Sequence, residues 1–182
     1  WQALLTLHHL ISDHVSVEVV LAEVAACMQG QAAQLPPAAP YRNFVWQCLQ
    51  TGADQAAQSY FRSRLADVEQ PSTPFDMADV HGDGWALSEA RHTVDTALAQ
   101  NVRLLAQSMS VSPAALCHAA WAMVVARCAG MDDVVFGSVL SGRMQGGLGT
   151  DRMLGMFVNT LPMRVKLGEQ SPAQLVRDIQ QD

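Results

Sequence analysis

The sequence has no basic run, no apolar segment of membrane length, no CxxC pair and no internal repeat. Charge is scarce, at 15% of 182 residues, and 17 acidic against 11 basic side chains leave a net −6. With no cationic cluster to offset that sign, general nucleic-acid binding is not expected. The most apolar helix-like stretch, ALCHAAWAMVVA, is broken by His118 and followed by Arg127. It is too short and too polar to cross a bilayer, so no membrane partner is expected. Cys27, Cys48, Cys117 and Cys128 are dispersed through apolar, helix-like segments. They read as reduced core thiols of a cytoplasmic protein and not as a disulfide frame. The GGLG run lacks a following Lys-Ser/Thr and is no phosphate loop. The opening WQALLTLHH has neither an initiator Met nor a basic n-region, so no signal peptide is read. Both ends fall inside expected elements, and the chain reads as a piece of a longer one.

What is present is a globular composition, 49% hydrophobic, with enough length for one core. Residues 3–10, apolar apart from Thr6 and two histidines, are expected as a buried strand. Ser16 is expected to cap a helix running to about Gln29, with Glu18 in its first turn. QLPPAAP is a proline-stiffened loop. Two helices follow, over 41–49 and 54–65, broken at Gly52. Residues 66–90 read as a long connection with Trp85 as an anchor. A short strand is expected near 89–95 and a helix over 96–109. The clearest helix is SVSPAALCHAAWAMVVARCAG, with Ser112 as cap, Pro113 at the first helical position and Gly130 as terminator. DDVVFGSVL is a buried strand, SGRMQGGLGTDR a loop and MFVNTLPMRVKL extended, before a last helix opened by Ser171-Pro172. Strands alternating with helices argue for an α/β sandwich.

The densest chemistry is His8, His9, Asp13 and His14 in LLTLHHLISDHVSVEVV. Successive strand residues face opposite ways, so His8 and His9 do not share one ion while both stay in a strand. His9 and Asp13, four apart across a strand-to-helix turn, suit a base held by its surroundings. Core histidines satisfied by backbone groups, a metal site from His9, Asp13 and His14, and an acyl-transfer base all remain open on spacing alone.

Three stretches narrow the choice. HHLISDH resembles the HHxxxDG signature of condensation domains of nonribosomal peptide synthetases, DDVVFGSVLSGR their later DxVxGxxxxGR motif, and MLGMFVNTLPMRV the xxGxFxNTxPxR motif after it. YRNFVWQ and YFRSRLADVEQPSTPFDM are similar to the family's connecting segments, and all occur in the family's order. The resemblance implies a chloramphenicol acetyltransferase-like fold of two α/β lobes forming a V, of which only part of both lobes is present. Residues 1–40 would end the N-terminal lobe, 41–90 form a helical connection and long loop, and 91–182 begin the C-terminal lobe.

The same resemblance implies amide formation between a donor acyl or peptidyl thioester and an acceptor aminoacyl thioester. Both would be carried on 4′-phosphopantetheine of donor and acceptor peptidyl carrier domains, next to an adenylation domain, with no metal and no directly bound cofactor. It makes His9 the catalytic residue, as base or as positioner of the amine, with His8 in support. Asp13 is expected to be structural, its carboxylate paired with Arg143 so that the two tie the lobes together. Asn159 offers an amide to substrate or is a turn residue before TLP. Gly137, Gly142 and Gly155 are expected to serve close backbone approach.

One position departs from the pattern. His14 stands where the motif has glycine, and either narrows the tunnel or marks a subgroup. SDHVSVEVVLAEV and TPFDMADVHGDG are similar to bacterial lipopeptide synthetase domains, some of which epimerise the donor first. An epimerization domain and a catalytically silent, partner-recruiting platform are the remaining alternatives. The isolated chain is expected to be inactive.

Overall fold

A computed structural model describes residues 2–51, 55–77, 88–144 and 149–182. The described residues form helices α1 (His14–Met28), α2 (Arg42–Thr51), α3 (Gln55–Leu65), α4 (Thr96–Met109), α5 (Pro113–Ala129) and α6 (Pro172–Gln181). Strands β1 (Asp133–Ser141) and β2 (Val158–Lys166) pair as a two-stranded sheet. The chain divides into two compact units, residues 1–63 with 138–161, and residues 64–137 with 162–182. These units cut across the three segments expected from the sequence. Trp85 and most of the GGLG run lie outside the described residues.

The second unit carries the hydrophobic core. Ala115, Ala119, Ala122 and Ala126 recur at helical spacing along one side of α5 and are buried. Their small side chains let α6 approach, and its Leu175, Val176 and Ile179 complete the core with Val134 and Val165. α5 and α6 begin as the sequence dictates. The hydroxyls of Ser112 and Ser171 accept the N–H groups of Ala115 and Gln174. Pro113 and Pro172 occupy first-turn positions where a missing N–H costs nothing, and Gly130 closes α5 at φ +66°.

Gly142 N–H donates to Phe157 C=O at 2.7 Å and Leu167 N–H to Asp132 C=O at 2.6 Å. Both bonds fit one antiparallel register, in which Val134 faces Val165 and Gly137 faces Pro162. That places Pro162 at a position whose nitrogen points away from β1, so the ladder loses no bond to it. On the other face, the guanidinium of Arg164 is buried and bonds Asp133 (2.8 Å from Nε) and Asp67 (3.0 Å from Nη2). Arg164's hydrogen bonds to Asp133 hold that carboxyl below its usual range and raise the guanidinium's own value further.

Several expectations are corrected. Residues 3–10 form no strand and are exposed, Leu4 at 93% and Leu10 at 80%. A strand needs a neighbour to satisfy its backbone, and no described strand pairs with them. No strand forms at 89–95 either. The first helix begins at His14, capped by Asp13 and not by Ser16, which puts Glu18 beyond the first turn. The cysteines are helical and form no disulfide, but they are not core: Cys27, Cys48 and Cys117 are exposed and Cys128 half-buried. α1 and α5 are apolar nearly all round, so periodicity could not say which side is covered. Among the described residues no single helix is long and apolar enough to cross a membrane.

Candidate active site

The site grows from the N-terminus of α1 in the first unit. Asp13 has extended backbone angles and its Oδ1 accepts the Ser16 N–H at 2.9 Å, which starts the helix one residue later. Both residues are only 2% exposed, so their polar atoms need partners. Arg143, two residues past the end of β1, supplies them for the acid. Its Nη2 donates to Asp13 Oδ1 at 2.7 Å and its Nε to Oδ2 at 3.0 Å, a two-pronged ion pair.

The remaining guanidinium protons are also used. Nη1 donates to the carbonyls of Thr150 (2.6 Å) and Met153 (2.9 Å), and Nη2 reaches Ser16 Oγ at 3.1 Å. The guanidinium carbon lies 4.0 Å from the Phe157 ring centroid, adding a cation–π contact. Ser16 is a further junction: its Oγ accepts the Gly155 N–H at 3.0 Å and lies 2.8 Å from Asp13 Oδ1, to which its proton is directed. Burial alone would push the Asp13 carboxyl up. The Arg143 and Ser16 donors outweigh it and hold the group well below the ordinary carboxylate range. This role of Ser16 is hidden in the sequence, where the residue also reads as the cap of α1. The spacing Asp-x-x-Ser was the available signal.

Gly155 and Gly142 show why side chains are absent there. A methyl on Gly155 would sit 2.1–2.6 Å from the Tyr41 ring, and one on Gly142 2.8 Å from the end of Phe44. Tyr41 cannot readily yield: its ring packs edge-on to Phe157 with centroids 5.2 Å apart, and its hydroxyl donates to Met156 C=O. Burial pushes that phenol up. Gly155→Ala is therefore expected to destabilise the protein by about 3 kcal/mol, the upper end of overpacking costs. In a Tyr41→Ala background the further loss should be much smaller. Urea unfolding of the four proteins checks this, and equal losses in both backgrounds would remove the steric explanation.

His8 and His9 sit just before this network and both are exposed. His9 Nδ1 lies 3.0 Å from Ser12 C=O. A carbonyl only accepts, so Nδ1 carries the proton and a neutral His9 presents its lone pair at Nε2. His9 and Asp13 are engaged by different groups: the carboxylate by Arg143 and Ser16, and the imidazole by the Ser12 carbonyl. For the same reason the grouping of His9, Asp13 and His14 around a metal does not form. Among the described residues, no cluster of three or more His, Cys, Asp and Glu side chains is placed to hold an ion.

His14 opens α1 and is exposed. Its backbone is not left-handed, so the position does not require glycine's dihedral freedom. Asn159 is the second residue of β2 and not a turn residue, and its Oδ1 accepts the Thr160 N–H at 2.9 Å. It lines a cavity of about 530 Å³ in the first unit with Phe44, Leu140, Phe157 and Leu161. Asp13 and Arg143 belong to the same unit.

A family model described as Condensation domain matches residues 1–182. Malpinin synthetase of Mortierella alpina is 43% identical over 172 residues, 94% of this chain and 2% of that protein. Malpibaldin synthetase of the same organism is 40% identical over 182 residues, all of this chain and 3% of that one. The chain thus spans only a few per cent of the length of these relatives. The solved first condensation domain of the CDA synthetase matches with a TM-score of 0.73 at 21% identity, over 96% of this chain and 40% of that one. That likeness concerns the fold, which is chloramphenicol acetyltransferase-like and represented here in part. The chain belongs to the condensation-domain family.

Proposed function

We propose that this chain contributes the catalytic histidine for amide formation between two carrier-bound thioesters in nonribosomal peptide synthesis. The single observation that carries the reading is the exposed His9 imidazole, held through Nδ1–H by Ser12 so that Nε2 is an acceptor. The amine nitrogen of the acceptor aminoacyl group attacks the donor thioester carbonyl. A C–N bond forms and the C–S bond breaks. Nε2 of His9 accepts one proton from the attacking free amine as the C–N bond forms and passes it to the departing thiolate, giving an amide and a free thiol. An amine with pKa around 8 is largely protonated at neutral pH, so a nearby acceptor raises the reactive fraction.

In this reading Asp13 and Arg143 never touch substrate. They fix the start of α1. Asn159 faces a cavity and offers an amide to substrate. Substrates arrive on the 4′-phosphopantetheine arms of donor and acceptor carrier domains, with an adenylation domain in the same cytoplasmic megasynthetase. The test is amide formation by the intact domain with loaded carrier domains, wild type against His9→Ala. Activity that survives the substitution unchanged would exclude the catalytic assignment. Inversion at the donor's α-carbon without amide formation would instead indicate epimerization.

A further inference from the structure

We propose that His8 is a positioning residue that works through its Nδ1 alone, resting on the condensation reading above. The Leu10 N–H donates to His8 Nδ1 at 3.1 Å. A ring nitrogen that accepts carries no proton, so neutral His8 is protonated at Nε2. His9, its neighbour, is protonated at Nδ1. The two adjacent imidazoles therefore hold opposite tautomers, and only the second exposes a basic nitrogen at the ring's far end.

The His8 bond does what an asparagine does when its side-chain oxygen takes the N–H two residues on, in an Asx-turn. The His8 carbonyl reinforces the same turn, accepting the Ile11 N–H at 3.0 Å and the Ser12 hydroxyl at 3.4 Å. Ser12 is the residue whose own carbonyl orients His9. His8 thus builds the turn, and the turn holds the acceptor that fixes its neighbour. Nothing in this arrangement uses the His8 Nε2–H.

The consequence separates three substitutions. Asparagine keeps an acceptor where Nδ1 lies. Glutamine carries its amide one bond further out, where Nε2 lies, and alanine has neither. In the carrier-loaded amide assay on the intact domain, His8→Asn should keep kcat within about threefold. His8→Gln and His8→Ala should each lose about 10²-fold in kcat, the cost of a misplaced catalytic group, with KM little changed. Retention by glutamine with loss by asparagine, equal activity in all three, or equal loss in all three would each overturn the proposal. Thermal unfolding of every variant separates loss of the turn from loss of the fold.

A second readout does not depend on turnover. Nitrogen-15 NMR of the histidine rings in the full-length chain, assigned with His8→Asn and His9→Ala, reports which nitrogen carries each proton. Opposite tautomers are expected, and a shared Nε2–H tautomer would overturn the inference. If wild type and His9→Ala formed amide equally well, the condensation reading would fall while the NMR result still decided the role of His8.

Discussion

Replacing Arg143 with alanine is expected to destabilise the protein by about 3–5 kcal/mol, the cost of stranding one member of a buried ion pair. Asp13 would keep its helix-capping bonds but lose its cation in a site where it is 2% exposed. The carbonyls of Thr150 and Met153 would lose their shared donor as well. Asp13→Ala should cost a similar amount, since it strands the guanidinium and removes the cap of α1. The double mutant should be far less damaged than the sum of the two, because each single change leaves a charge that the other removes. Arg143→Lys should not rescue, as an ammonium lacks the planar fork that bonds both carboxylate oxygens and two carbonyls at once. Urea unfolding gives all four numbers, and purely additive losses would end the pairing argument.

The acid limb tests the same pair independently. The folded Asp13 carboxyl titrates well below the unfolded one, so its contribution is present above about pH 4 and fades as pH falls below that. In Arg143→Ala the strongest lowering donor is gone and burial is opposed only by the Ser16 bonds, so protonation costs the variant less than wild type. The stability gap between wild type and Arg143→Ala should therefore shrink on acidification below about pH 4. A gap that stays constant down to pH 3 would mean that the carboxylate charge is not what Arg143 holds.

What the sequence disclosed follows the range of the forces involved. α4, α5 and α6 fell where expected because their ends are set by neighbours in the chain: Asp95, Ser112 and Ser171 as caps, Gly130 as terminator. The ion pair of Asp13 with Arg143 spans 130 positions and no local rule gives it; the family's motifs brought both residues into consideration. Ser16 competes with Asp13 as the expected cap for a physical reason, since aspartate and serine are about equally good caps and both precede the same apolar run. The strand expected at 3–10 failed because a ladder is a property of two segments, and periodicity reports on one. The exposed thiols have the same origin: helices apolar on most sides do not disclose which side is covered, and Trp121 and Met123 on α5 are exposed alongside Cys117.

His9→Ala is expected to lower amide formation by about 10²–10⁴-fold, the range for general acid–base help. The loss should appear in kcat, since the ring contributes at the moment the proton moves. Stability should change by no more than a few tenths of a kcal/mol, because the imidazole is exposed and bonds a carbonyl three residues away. This is the reverse of what Asp13→Ala should do, where unfolding comes first and activity falls with the folded fraction. Measuring both variants at a temperature where Asp13→Ala is still folded separates the roles. There the aspartate variant should retain most of its turnover and the histidine variant almost none. Comparable turnover in the two would place the chemistry somewhere other than Nε2 of His9.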